Sequence, residues 1–312
     1  MPTLRRIAGL IGWLSGSLAG VTAILYALGF VATLTHLRLL GLSPTLVPHE
    51  PTVQVARGGM ALVHAFVLLV PTLAVLVVAT ALGSLAWRLF RGERPATAAE
   101  ATPRPVREAL LAGLLIAATW AAVLAGLLGG LRPALAAGDL LYRDLGALCA
   151  EGTEIVTALL RQDREALGTR HVMVTAAALV ALAAAWSCAR IGIVRRAPAR
   201  SLLLLLPAVA LALLLLPMSY GVFVLRGEWS PVTVRLADGE TLGGTAAGET
   251  AKENEADALL IRNATDGVLV WLTGDRSLRW IDRRGVDWMA LGRPRPVLET
   301  LAPGACPPPA TD

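Results

Sequence analysis

Apolar residues run almost unbroken through five stretches of the chain, at 7–34, 59–85, 109–131, 172–194 and 202–225. Each is long enough for the roughly 20 helical residues that cross a hydrocarbon layer. The segments between them differ in kind. "RGERPATAAEATPRPVRE" is rich in Pro, Ala and Glu with no apolar face, and predicts a flexible linker. The loop 132–171 instead repeats Leu140, Leu141, Leu145, Leu148, Ile155, Leu159 and Leu160 at near-helical intervals, predicting one or two amphipathic helices on the membrane surface or against the spans. After Leu225 the period changes from helix to strand. "VTVRLADGETL", "ALLIRNATDGVLVWL", "SLRWI" and "VDWMAL" alternate in polarity around Asp238-Gly239, Asp266-Gly267 and "DRRG" turns, which predicts antiparallel hairpins.

This pattern predicts an α-helical membrane protein of five transmembrane helices over 1–225. A small C-terminal all-β domain follows over 226–302, an Sm-like or SH3-like barrel, and then a disordered tail over 303–312. Val268, Val270, Leu272, Leu278, Trp280, Val286 and Trp288 are expected in or near the barrel core. The insertion "GGTAAGETAKENEAD" predicts a solvated loop.

Composition agrees with the membrane reading. The 312 residues are 55% hydrophobic and 16% charged, against roughly a quarter charged in an ordinary globular domain. The net charge of +5 is carried almost wholly by arginine, Lys252 being the single lysine, and the arginines flank the apolar runs. The positive balance is therefore membrane-flanking charge, and no nucleic-acid partner is expected. Arg5, Arg6, Arg88, Arg91, Arg94, Arg104, Arg107, Arg190, Arg195, Arg196 and Arg200 fall on one side, which predicts a bacterial inner-membrane protein with a cytoplasmic N-terminus and an extracytoplasmic β-domain. The apolar run after Arg5 and Arg6 is too long for a signal-peptide core and predicts an uncleaved first span.

Candidate chemistry is sparse. Gly12, Gly16 and Gly20 recur every fourth residue, so they share one face of the first span and mark a helix–helix contact, within the subunit or between subunits. Ala112, Gly113, Ala117, Ala121, Ala125 and Gly129 form a comparable packing surface in the third span. His64 lies well inside the second span, where an ionisable group is either a structural imidazole bonded to a neighbouring helix or a proton-relay or ligand residue. No intramembrane carboxylate is there to partner a relay. Cys149, Glu151, Glu154, Asp163, Glu165 and His171 have no recurrent metal-ligand spacing, nor do Cys188 and Cys306, so solvated helix faces explain the acids.

No nucleophile, P-loop, dinucleotide or HExxH signature occurs, and neither a catalytic residue, a cofactor nor a metal is predicted. Trp229, Trp271, Trp280 and Trp288 read as core and interfacial anchor, or as an aromatic binding face. Arg262, Arg276, Arg279, Arg283 and Arg284 form a solvated face or a docking surface. The expected function is a non-enzymatic accessory or assembly subunit of a membrane complex, its partners being the lipid bilayer and other membrane subunits or itself. The alternative is an oligomeric channel or transporter with a β-domain collar. A lipid- or envelope-directed enzyme would need Glu151 and Glu154 to converge with His171.

"YALGFVATLTHLRLLGL" and "LPMSYGVFVL", followed by the β-rich tail, resemble a group of uncharacterised multi-span bacterial membrane proteins, a resemblance that supplies no activity, ligand or site residue. A β-domain directly after the last span is also similar to small-conductance mechanosensitive channels. The chain departs from that pattern in its leucine-rich last span with Pro207 and Pro217, where those channels have a Gly/Ala-rich pore helix, and in the predicted side of the β-domain.

Overall fold

The computed structural model describes residues 2–46, 50–91, 104–144, 147–148, 154–190, 198–226, 228–243 and 258–297. Of the predicted linker, 92–103 lie outside them, as do most of the solvated loop, the tail, Cys149, Glu151 and Cys306, whereas 91 and 104–108, also expected in the linker, are helical. Among the described residues five helices are long and apolar enough to cross a membrane, over Gly16–Leu40, Pro51–Thr72, Glu108–Ala136, Arg164–Ala189 and Leu203–Phe223. They belong to helix α1 (Pro2–Leu40), α2 (Pro51–Arg91), α3 (Arg104–Leu124) continued by α4 (Arg132–Ala136), α6 (Arg164–Ala189) and α7 (Pro198–Phe223). A short α5 (Glu154–Arg161) lies in the 132–171 loop. Helix α2 starts at Pro51, earlier than the apolar run at 59, because proline at a first helical turn lacks only an N–H that would have no partner.

The chain forms two compact units. The first comprises Met1–Gly29, Val55–Arg132 and His171–Ser219. Its helices approach closely where side chains are small: a Cβ on Gly58 would strike the Leu25 carbonyl, and one on Gly130 would strike Val174. Between α3 and α4 the chain widens into a π-helical segment, Ala125–Leu131, which turns Gly126 and Gly130 inward. Ala112, Thr119, Val123, Gly126 and Gly130 are buried, whereas Gly113, Ala117, Ala121, Ala125 and Gly129 are exposed. The expected packing surface of the third span is thus the outward one, with Ala112 alone turned inward. Gly16 and Gly20 are likewise exposed, and a Cβ at either would meet nothing within 4 Å. The surroundings of Gly12 lie outside the described residues.

The second unit comprises Phe30–Gln54, Pro133–Arg170 and Tyr220–Asp312. The last four carbonyls of α1, which have no partner inside the helix, are all satisfied. Gly41, at φ +83°, donates to Arg38 O and Leu42 donates to Leu37 O, the paired bonds of a left-handed helix cap. Leu140 and Leu141 then donate to Leu39 O and Leu40 O at 3.1 and 3.3 Å. Helix α5 buries Ile155, Val156, Ala158, Leu159 and Leu160. Asp163 caps the next helix by accepting from the N–H groups of Glu165 and Ala166.

The strands are β1 (Glu228–Leu236), β2 (Thr241–Leu242), β3 (Ala258–Asn263), β4 (Gly267–Leu272), β5 (Ser277–Asp282), β6 (Val286–Leu291) and β7 (Arg295–Pro296). They form one curled antiparallel sheet in the order β2-β1-β3-β4-β5, with β6 and β7 also pairing with β1. Val232, Val234, Val268, Val270 and Ile281 fill the inside of the curl. All of β4 is buried, because Trp271 on its other face meets the Tyr142 ring edge-on at 4.9 Å. Trp280 and Trp288, expected in or near the core, are instead 48% and 44% exposed. Trp280 lies across Gly267 of the neighbouring strand, where a Cβ would collide with its indole.

Candidate functional site

Polar side chains are rare in the apolar helices, and among the described residues most of those that are buried collect in two clusters, Thr119 standing apart with its hydroxyl turned back to Leu115 O. In the first unit, His171 and Thr175 are one helical turn apart on α6 and so share a face. Ser219 of α7 meets both: its Oγ lies 3.2 Å from His171 Nδ1 and 3.4 Å from Thr175 Oγ1. His64 of α2 completes the group, its ring edge-on to that of His171 with centroids 5.9 Å apart. The intramembrane histidine singled out by sequence therefore has an aromatic and titratable partner, which is a second imidazole and not a carboxylate.

The hydrogen-bond partners fix the tautomers. His64 Nδ1 lies 2.9 Å from Met60 O, and a carbonyl only accepts, so Nδ1 carries a proton. Ser219 Oγ donates to Leu216 O at 2.9 Å, so its remaining lone pairs accept from His171 Nδ1–H and from the Thr175 hydroxyl. His171 Nε2 is buried without a hydrogen-bond partner among the described residues. This is a polar staple joining three helices. Ser219, fully buried with its proton held by a backbone carbonyl, is not posed as a nucleophile, which needs its hydroxyl proton facing a base and its oxygen facing a substrate.

The second cluster lies in the other unit. Thr33 Oγ1 donates to Gln54 Oε1 at 2.8 Å, joining α1 to the first turn of α2. His36 donates from Nδ1 to Gly221 O at 3.1 Å. That carbonyl is in the last turn of α7, where Tyr220 O already receives the N–H groups of Val224 and Leu225, so the imidazole satisfies a terminal carbonyl that the helix cannot. The absence of a Gly221 side chain is what permits this approach, since a Cβ there would strike the Ala32 carbonyl. Sequence reading passed over His36 because it stands just beyond the apolar run ending at Leu34. The signal was its position within the last turn of a helix rich in Thr and Leu.

Among the described residues the acids of the 132–171 loop do not gather. Glu154 is 84% exposed and pairs with Arg170 at 3.4 Å, while Asp163 is used as a helix cap. Among the described residues no three His, Cys, Asp or Glu side chains are grouped to hold a metal. Tyr142 ionises above its ordinary range, first because it is partly buried and second because Asp139 is near. Of the β-domain arginines, Arg276 reaches Asp144, Arg279 reaches Asp275 and Glu240, and Arg283 donates to Asn263 Oδ1. Arg262 is half-buried and Arg284 exposed.

The described residues thus comprise five helices long and apolar enough for a membrane, two buried polar clusters and a curled C-terminal antiparallel sheet. It matches no protein-family model, no curated protein and no solved structure.

Proposed function

We propose that this chain is an accessory or assembly subunit of a complex in a bacterial inner membrane, with its N-terminus in the cytoplasm and its β-domain outside. One observation carries the reading: five small residues at four-residue spacing, Gly113, Ala117, Ala121, Ala125 and Gly129, are turned outward on α3 and the π-helical segment that continues it. Small side chains let another helix backbone come close, and inside hydrocarbon that close packing is a main source of helix association. Gly16 and Gly20 offer a second such face on α1. The β-domain is read as SH3-like, supported by the strand sequence β6-β1-β3-β4-β5 and by a single 3-10 turn, Arg283–Gly285, between β5 and β6. It offers the exposed Trp280, Trp288 and Leu291 to a partner. The experiment is disulfide trapping in native membranes, with cysteine at Ala117 or Ala121 in a background lacking Cys149, Cys188 and Cys306. A cross-linked second copy or a second subunit is expected from these positions and not from Ala112. A monodisperse monomer with no cross-link from either position overturns the reading.

A further inference from the structure

An apolar groove of about 390 Å³ opens on the surface of the first unit between α2, α6 and α7. Leu62, Phe66, Thr72, Leu179, Trp186 and Leu216 are among its walls. The hydroxyl of Thr72 is turned back to Leu68 O, so this residue gives the groove only its methyl group. Along α2 the groove runs from Leu62 to Thr72, about 15 Å at 1.5 Å per residue, which is half the roughly 30 Å hydrocarbon thickness and so the depth of one leaflet. Its large side chains, Phe66 and Trp186 being 58% and 65% exposed, keep another helix backbone away but leave room for a flexible chain.

The end of the groove at Trp186 carries a charge. The Arg190 guanidinium stands over the Trp186 ring, 4.9 Å from its centroid. Tryptophan and arginine together at a helix end mark the depth of lipid headgroups. Stacking engages the guanidinium face and leaves its N–H edge for a planar or tetrahedral oxyanion.

We propose that this groove holds one acyl chain of an anionic phospholipid, with the headgroup phosphate paired to Arg190. The occupant is a lipid of the leaflet at the C-terminal end of α6, bound by a slot for its chain and, among the described residues, by the Arg190 cation for its charge. The test is native mass spectrometry of the full-length protein in mild detergent, titrated separately with dioleoyl phosphatidylglycerol and dioleoyl phosphatidylcholine. The wild type is expected to retain phosphatidylglycerol about fivefold better, the worth of one basic residue against an anionic lipid. Arg190→Gln abolishes that preference while keeping a bound lipid, and Ala183→Trp, which fills the groove, removes one bound lipid of either kind. Equal lipid counts for Ala183→Trp and wild type, an unchanged preference in Arg190→Gln, or displacement of phosphatidylglycerol by inorganic phosphate alone overturns the proposal. A second measurement needs no groove-filling variant: phosphatidylglycerol brominated on its acyl chains quenches the wild type more than Trp186→Phe, and identical quenching also overturns it.

Discussion

Ser219 Oγ receives the Nδ1–H of His171 across 3.2 Å while sending its own proton to Leu216 O, so one hydroxyl ties two helices and a helix backbone together. Ser219→Ala leaves the buried His171 Nδ1–H without an acceptor. Interhelical hydrogen bonds in hydrocarbon are worth about 0.6 kcal/mol on average and about 1.7 at most, since the separated helices find other partners. The thermal unfolding midpoint in detergent should fall accordingly for Ser219→Ala. A double-mutant cycle with His171→Phe should give a coupling within that range, and zero coupling would show that the contact contributes nothing.

The joint between Gly221 and Ala32 is tighter and should respond more. A methyl group at 221 meets the Ala32 carbonyl and displaces the Gly221 O that His36 holds at 3.1 Å. Gly221→Ala is expected to cost about 1–3 kcal/mol through overpacking alone. Gly168→Ala, on α6 with nothing within 4 Å, should be neutral or gain up to about 1 kcal/mol from helix propensity. Equal effects of the two substitutions on the unfolding midpoint would contradict this packing.

Gly41 and Gly239 separate conformational strain from crowding. Both have positive φ, +83° and +91°. A Cβ at Gly41 would lie 2.8 Å from Asp139 Cα, whereas one at Gly239 meets nothing. Gly239→Ala should therefore cost about 1–2 kcal/mol, the left-handed penalty by itself, and Gly41→Ala about 2–4 kcal/mol. Denaturant titration of the two variants measures the difference.

Five apolar runs and most of the short strands were legible because each period is written directly in residue type, whereas β7 at Arg295–Pro296 was not. Which face of each element turns inward was not. In α3 and the π-helical segment after it, the ladder from Gly113 to Gly129 and the set Ala112, Thr119, Val123, Gly126 and Gly130 are both mostly small residues. Hydrophobicity does not tell them apart, and the π-helical segment shifts the phase between them. Along β6 the bulge that pairs Arg235 with Trp288 and Leu236 with Val286 breaks strict alternation, so counting by twos from Val286 misplaces Trp288. Strand β5, by contrast, pairs with β4 in unbroken register, and Ile281, not Trp280, is its inward residue. Trp280 and Trp288 moved outward, while Trp271, which alternation assigns to the outer face, is fully covered because Tyr142 lies against it. His64 was legible as an isolated polar group, but its partners were not, since His171, Thr175 and Ser219 are adjacent only after three helices pack.

That Tyr142–Trp271 contact also sets a dependence on pH. Burial chiefly, and Asp139 in addition, raise the Tyr142 pKa above its ordinary value of about 10. The folded protein thus holds the phenolic proton more firmly than the unfolded chain does. Its contribution to stability is complete below pH ~10 and is lost as pH rises from there through the folded pKa, because in that window the unfolded state releases the proton first. The chain has three tyrosines, so the ultraviolet phenolate signal can be assigned by subtracting a Tyr142→Phe titration from that of the wild type. The difference curve should have its midpoint above that of free tyrosine. It should move down in Asp139→Asn, which removes the negative charge but not the burial, and should remain above the free value there because burial is the larger cause. Tyr142→Phe keeps the edge-on ring against Trp271 and should flatten the alkaline fall in unfolding midpoint. A wild-type midpoint at or below that of free tyrosine would mean that the phenol is solvated and that the outer face of β4 is not covered as described.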